Sequence, residues 1–171
     1  MVLLGSSGFS AQLAAQLGLP FAFANHFGGP HVVAAVQLYR ETFQPSAVLA
    51  EPYAIVTANV LVADSDEQAR RLALPGQLMR LGIRTNRLRP VPTVEQAEVD
   101  PERAAAEAMP SNAVVGSPET AVAALRELAA ETGASELMVS ASTHGPAERV
   151  RSLELLAAAW GLTPAAPAQV A

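Results

Sequence analysis

The chain has 171 residues, of which 50% are hydrophobic and 16% charged, a composition typical of one globular domain. Its net charge of −5 disfavours a nucleic-acid-binding surface, and the absence of cysteine excludes disulfides and thiolate nucleophiles. No apolar run approaches the ~20 residues that span a bilayer. We therefore expect a cytoplasmic protein that binds neither nucleic acid nor membranes.

The first two elements are a strand and a helix joined by a short polar turn. An apolar run over residues 2–5 predicts a buried strand. A helical pattern from Ser7 to Leu17 places Leu13 and Leu17 on one face, and Gly18 ends the helix. Because a buried strand begins at the second residue, we expect another element to precede it in the parent fold.

The turn between these elements contains Ser6, Ser7, Gly8 and Ser10. The first turn of a helix leaves its backbone N–H groups unpaired, and the helix dipole favours negative charge there. Serine hydroxyls add further donors, so the turn is a candidate anion-binding site. The same residues also make an ordinary N-terminal cap, which is the interpretation that the pattern alone favours.

A second apolar strand over residues 20–24 ends at Asn25 and His26, and a helix follows from Gly28 to Phe43. The C-terminal ends of strands line the active sites of α/β barrels, which makes His26 the candidate catalytic residue. A histidine hydrogen-bonded at the rim of the barrel is the interpretation that the pattern favours over a catalytic role. A catalytic base needs an orienting partner, and the sequence identifies none. The scattered histidines have no spacing typical of a metal site.

The third strand is the longest, over residues 53–63, and it is rich in β-branched side chains. Asp64 and Glu67 follow it, and capping of the next helix explains them better than a pair of acid–base carboxylates. Pro75 and Gly76 predict a break or a kink in that helix.

Residues 84–112 contain several prolines and are predicted to form an irregular excursion from the core, with short helices around residues 93–96 and 101–109. A cluster of basic residues overlaps its start. We interpret the cluster as a solvated helix end or loop rather than a phosphate or partner site. It consists of Arg80, Arg84, Arg87 and Arg89.

After the excursion, Ser117 is a good N-cap for a helix that runs to Thr132. A strand over residues 136–140 and an amphipathic helix over residues 149–160 follow, and the tail over residues 163–171 is predicted to be frayed. Three polar residues on strands or strand ends could face a cavity, with hydrogen bonding within the packing as the favoured role. They are Asn59, Ser140 and Ser142.

Strands alternate with helices along the chain, which predicts an α/β fold with a parallel sheet and outer helices, in one domain over residues 1–162. About four core strands are evident. They suit either a doubly wound sheet or part of a (β/α)8 barrel, which needs eight strands and about 250 residues. The pattern of elements alone does not choose between these architectures.

Three segments, taken together, distinguish the doubly wound sheet from the partial barrel. They are LLGSSGFSAQLAAQLGLPFAFA, YAIVTANVLVADSDEQARRLA and VVGSPETAVAALRELAAETGASELMV. In this order they resemble three parts of luciferase-like flavin monooxygenases: the segment after the fifth strand, the seventh strand with its helix, and the helix leading into the eighth strand. The resemblance covers residues 2–160 and favours a partial (β/α)8 barrel.

The resemblance implies a monooxygenase that oxidises a small organic substrate with oxygen and reduced FMN supplied by a separate reductase. A sister branch of the family uses F420, which we expect less here. The resemblance also implies that the FMN phosphate is held by the hydroxyls of Ser7 and Ser10, with backbone amides near Ser6 and Gly8. Residues three apart share a helix face, so both hydroxyls lie beside the unpaired amides.

The resemblance begins halfway along a full-length family member, so the first four strands of the family have no counterpart here. Two family residues on that missing part therefore also have no counterpart here. They are an arginine that usually helps to hold the phosphate and the histidine thought to act as the base in luciferases. We therefore expect the C-terminal half of the barrel, with two exposed strand edges and an exposed apolar interior. The expected partner is a second copy in a homodimer, or a complementing half-barrel chain. The alternative function is a non-catalytic flavin- or ligand-binding half-barrel that dimerises.

Overall fold

The computed structural model describes residues 1–27 and 31–162, which form parallel strands flanked by helices. The strands of this part of the chain are β1 (Leu3–Gly5), β2 (Phe21–Phe23), β3 (Ala54–Val62), β4 (Val114–Gly116) and β5 (Glu136–Ser140). The helices are α1 (Gly8–Gln16), α2 (Val32–Thr42), α3 (Asp66–Arg84), α4 (Val94–Glu98), α5 (Arg103–Glu107), α6 (Pro118–Thr132) and α7 (Pro146–Trp160). A 3₁₀ turn, Asn25–Phe27, follows β2. None of these helices is long and apolar enough to cross a membrane.

The centre of the sheet is β3, and all strand pairs are parallel. Strand β2 lies between β1 and β3, while β5 pairs with β3 from Ile55 to Asn59. Strand β4 pairs with the far end of β3, from Val60 to Val62. The α/β class and the four predicted strands are confirmed. Strand β4 is not among the predicted strands, because three residues that end in glycine carry no recognisable strand pattern.

The side chains of β3 alternate between the two faces of the sheet. The even-numbered residues from Ala54 to Val62 pack in two apolar clusters, one with residues of α1 and α2 and the other with residues of α6 and α7. The opposite face, which we call the site face, carries the odd-numbered residues. They are Ile55, Thr57, Asn59 and Leu61.

Helix α1 packs on the sheet through its alanines and leaves its larger apolar side chains in solvent. Its buried residues are all alanines. Leu13 and Leu17 are instead 37% and 52% exposed, and Phe9 is 77% exposed. These three residues stand four apart and form one stripe along the helix, which we call the α1 stripe.

Helix α3 differs from its prediction at its start and in its middle. Ser65 is the N-cap, and its side chain accepts a hydrogen bond from the backbone N–H of Gln68. The predicted cap at Asp64 is wrong, because that carboxylate pairs with Arg151 at 2.8 Å. Of the predicted break or kink, the break is wrong, since the 19-residue helix runs through Pro75. The proline ring is fully buried, and this burial offsets the hydrogen bond that proline cannot make.

Residues 84–112 contain the two predicted short helices, α4 and α5, and both pack against α3. One alanine from each, Ala97 and Ala106, is buried in a cluster with Leu74 and Leu78 of α3. Helix α7 begins at Pro146, three residues before the prediction, because proline suits the first helical position. The predicted start of the second helix at residues 28–30 and the predicted frayed tail at residues 163–171 lie outside the described residues.

A buried hydroxyl from α7 completes the hydrogen bonding of β3. Strand β5 ends at Ser140, opposite Asn59, so the next part of β3 has no strand partner on that side. There the backbone N–H of Val62 donates to the Oγ atom of Ser152 at 2.8 Å. Ser152 is buried, and its hydroxyl therefore anchors the last helix to the central strand.

Replacement of Ser152 by alanine leaves the N–H of Val62 buried without an acceptor. We expect Ser152→Ala to lower the free energy of unfolding by about 1–3 kcal/mol in urea denaturation. The exposed residue Glu154 on the same helix is the control, and Glu154→Ala should stay within about 0.5 kcal/mol of the wild type. Equal losses in the two variants would contradict this role for Ser152.

Candidate functional site

The turn from β1 to α1 is a closed capping box. Ser7 is the N-cap, and its Oγ accepts from the backbone N–H of Ser10 at 3.4 Å. In return the Oγ of Ser10 accepts from the N–H of Ser7 at 3.3 Å. A Cβ on Gly5 would collide with the side chain of Ser10, so only glycine lets strand and helix meet this closely.

The hydrogen bonds of this turn leave a defined set of donors for an anion. The hydroxyl of Ser10 donates to the carbonyl of Ser7 at 2.8 Å, which uses its single proton. The hydroxyl of Ser7 has only a long contact, 3.4 Å, with the Oγ of Ser10, and the N–H groups of Gly8 and Phe9 precede the first hydrogen bond of the helix. Ser6, Ser7 and Gly8 are exposed. The turn therefore fits a phosphate group, with Ser7 better prepared than Ser10 to bind it.

His26 lies in the 3₁₀ turn after β2 and has an orienting partner on the neighbouring strand. Its Nδ1 atom is 2.7 Å from the Oγ1 of Thr57, a buried residue of β3. The Thr57 hydroxyl donates to the carbonyl of Phe23 at 3.2 Å and therefore acts as acceptor toward the histidine ring. This arrangement would place the proton of a neutral imidazole on Nδ1, whereas donation by the Thr57 hydroxyl to the ring would place it on Nε2.

The partner of His26 could have been found from the strands, although not from local sequence. Thr57 is 31 residues away along the chain. The parallel register pairs Phe23 with Val56, so the residues that follow lie side by side. Prediction of this pair requires the register between β2 and β3, which cannot be read from either segment alone.

A chain of amide and hydroxyl groups extends the site across the ends of the strands. Asn59 donates to the carbonyl of His26 at 3.1 Å and accepts from the hydroxyl of Ser140 at 2.8 Å. On the other side, Asn112 donates to the Oδ1 of Asn25 at 2.9 Å. These residues fix the backbone around His26. The favoured prediction for Asn59 and Ser140, hydrogen bonding within the packing, is confirmed.

A cavity of about 1010 Å³ opens beside His26. Its walls are the site face of β3, the inner side of α3 and residues 109–113, and Ser142 also lines it. The four residues of the predicted phosphate turn do not belong to this wall in the described structure. The turn and His26 nevertheless lie at the same edge of the sheet, because Gly5 at the end of β1 pairs with Phe23 at the end of β2.

Two buried polar atoms of α3 have no hydrogen-bond partner among the described residues. They are the Nε of Arg80 and the Oε1 of Gln77, and both side chains line the cavity. Burial lowers the pKa of Arg80, and the positive charge of Arg84 lowers it further. The interpretation of the basic cluster as solvated holds for Arg87 and Arg89, which form surface ion pairs, but it is wrong for Arg80.

The chain matches one family model and several known proteins. The model of the family described as luciferase-like monooxygenase matches residues 1–136. The chain is 43% identical over 162 residues to the uncharacterized protein YvbT of Bacillus subtilis, covering 92% of this chain and 48% of that one. It is 40% identical over 157 residues to a luciferase-like monooxygenase of Escherichia coli, covering 90% and 47%. The chain thus spans about half the length of these relatives.

Solved structures share the fold over a similar length. The crystal structure of apo-MsnO8 superposes with a TM-score of 0.85 at 32% identity, covering 96% of this chain and 51% of that chain. The oxygenating constituent of 3,6-diketocamphane monooxygenase from Pseudomonas putida, in complex with FMN, gives 0.62 at 21% identity and 96% and 49% coverage. A coenzyme F420-dependent reductase from Methanopyrus kandleri gives 0.58 at 14% identity and 91% and 48% coverage. The expected half of a (β/α)8 barrel is thereby confirmed as the fold.

The orientation of the His26 ring depends on Thr57. In ¹⁵N-detected imidazole spectra, the neutral ring should be protonated on Nδ1 in the wild type. Thr57→Val removes the acceptor, and we expect the Nε2-protonated form to grow at its expense. Thr57→Ser, the control, keeps the hydroxyl and should keep the wild-type form. The signals are assigned by their loss in His26→Gln, and an Nε2-protonated wild type would contradict the geometry.

Proposed function

The chain belongs to the luciferase-like monooxygenase family, and from this premise we propose that it forms the flavin-phosphate half of a flavin-dependent monooxygenase. The observation that carries the proposal is the turn from β1 to α1, where the Ser7 hydroxyl and the first amides of α1 face solvent together. The proposed cofactor is reduced FMN from a separate reductase. When bound, it would supply the activation of oxygen, while the protein supplies binding and orientation.

FMN is favoured over F420 by the chemistry of the turn and by the structural neighbours. The FMN-bound neighbour has the higher TM-score and identity of the two cofactor-bearing folds compared above. A terminal phosphate suits a short turn that offers the Ser7 hydroxyl and free amides. The substrate in this proposal is a small organic molecule held in the cavity beside His26.

In this proposal, different residues of the chain bind the phosphate, accept a proton and hold the substrate. Ser7 and the amides of α1 bind the phosphate, and Ser10 braces the turn through the carbonyl of Ser7. The contact of Thr57 with Nδ1 orients the ring of His26, which is the proposed proton acceptor. The cavity lined by α3 and residues 109–113 holds the organic substrate in this proposal.

A second candidate function is a non-catalytic half-barrel that binds flavin or another ligand. The observation in its favour is the separation of the phosphate turn from the cavity wall in this chain. Without a wall that joins the two, ligand binding and oxidation need not occur together. Oxygen consumption with reduced FMN and an organic substrate distinguishes the two functions.

The completing partner is proposed to be a second copy of this chain or a complementing half-barrel chain. On the site face, Leu4 of β1 is 64% exposed and Met138 of β5 is 52% exposed. The α1 stripe adds further exposed apolar surface. Apolar surface of this extent beside open strand edges is a liability for a monomer and favours association.

Flavin binding tests the phosphate turn directly. FMN should shift its absorbance on addition of the protein, and Ser7→Gly should weaken FMN binding roughly tenfold or more, because a hydrogen bond to a charged group is lost. Glycine is chosen because it preserves the helix cap to within a few tenths of a kcal/mol. Riboflavin, which lacks the phosphate, should bind Ser7→Gly and the wild type equally.

The matched control is Ser65→Gly, which removes the capping hydroxyl of α3 and leaves the phosphate turn intact. It should bind FMN as the wild type does. An absorbance that never shifts, or equal weakening in both variants, would contradict the proposed phosphate site.

The mass in solution tests the proposed partner. Light scattering should give a mass above the 17.7 kDa of one chain. Leu13→Glu should shift the population toward the monomer, because it places a charge in the α1 stripe. Val150→Glu on α7, an exposed apolar position outside the stripe, is the control and should not change the mass. A monodisperse 17.7 kDa wild type would refute self-association.

A further inference from the structure

We infer that Arg80 and Arg84 form a carboxylate-recognition site in the cavity, and that the substrate is an organic acid with an apolar body. The inference rests on the proposed function, whose substrate class it names. It starts from the spacing of Gln77, Arg80 and Arg84, which places all three on one face of α3. All three line the cavity beside His26.

Six arginines form no ion pair within the described structure, and among them only Arg80 and Arg84 line the cavity. Arg71, Arg87, Arg89, Arg103 and Arg151 each form at least one ion pair. Arg80 and Arg84 form none, and they stand four residues apart, where like charges repel. An anion between them removes that repulsion, so the pair favours a negatively charged ligand.

The guanidinium of Arg80 is already oriented for a carboxylate. Its Nη1 donates to the hydroxyl of Ser111, which fixes the plane of the group. Its Nε is buried without a partner. The Nε is too enclosed to meet a ligand, so the donor available to a carboxylate is Nη2, which forms no hydrogen bond among the described residues.

The rest of the wall favours an apolar body for this acid. The cavity volume of about 1010 Å³ accommodates a ring system or an alkyl chain. Apolar side chains surround the arginines, namely Leu61, Met79, Ile83, Met109 and Val115. The phosphate of FMN is the other available anion, but its proposed donors lie on the turn from β1 to α1, outside this wall.

The test compares 2-naphthoate with its uncharged analogue 2-naphthamide by isothermal titration of the 171-residue chain. We expect the wild type to bind the acid about tenfold more tightly, because the acid gains charged hydrogen bonds. The preference should disappear in the double variant Arg80→Gln/Arg84→Gln. Arg70→Gln, which removes an exposed arginine of the same helix, is the matched control and should retain the preference.

Several outcomes would overturn the inference. These are undetectable binding of 2-naphthoate, equal binding of acid and amide, or loss of the preference in Arg70→Gln. If Arg80→Gln does not fold, the exposed Arg84→Gln decides alone, and an unchanged preference there overturns the inference.

A separate arm compares FMN with riboflavin in the same variants and distinguishes the two sources of the anion. A reduced FMN preference in the double variant means that the arginines hold the cofactor phosphate, which overturns the substrate assignment. An unchanged FMN preference supports it. If the wild type binds 2-naphthoate selectively but no flavin, the proposed function fails while the carboxylate site stands.

Discussion

The structure depends on β3, the nine-residue strand that has neighbours along both of its edges. Its even-numbered side chains build both apolar clusters beneath the outer helices, while its odd-numbered side chains form the site face. One strand thus holds the core and positions Thr57 and Asn59. Because the pleat alternates strictly, a slip of one residue in its register would bury the polar groups and expose the core.

Hydrogen bonds at the ends of the strands position the residues of the candidate site relative to this register. Thr57 orients the ring of His26, Asn59 holds its carbonyl, and Ser140 holds Asn59. Each contact joins a different strand or turn, so the order of the strands fixes the arrangement. The proposed carboxylate site on α3 depends on the same strand, since Leu61 of β3 lines the same cavity as the arginines.

The sequence predicts the elements better than it predicts their partners. Glycine at residue 18 and serine at residue 117 mark helix ends by local chemistry, and both mark them correctly. The break at Pro75 fails because tertiary burial outweighs a local preference. Likewise, no local pattern pairs His26 with Thr57 or turns Arg80 toward a cavity, since both depend on contacts between distant segments. The phosphate turn is predicted as a capped helix end, and its use by a cofactor remains a proposal.

The two outermost strands, β1 and β5, differ from one another, and this difference has a consequence for symmetry. A second copy that pairs its β5 with the β1 of the first makes a head-to-tail contact rather than a self-complementary one. Such contacts close into a ring when the rotation between copies brings the last free edges together, and otherwise they extend into a filament. If copies of this chain associate through these edges, the rotation between them decides whether association stops at a closed ring or continues without limit.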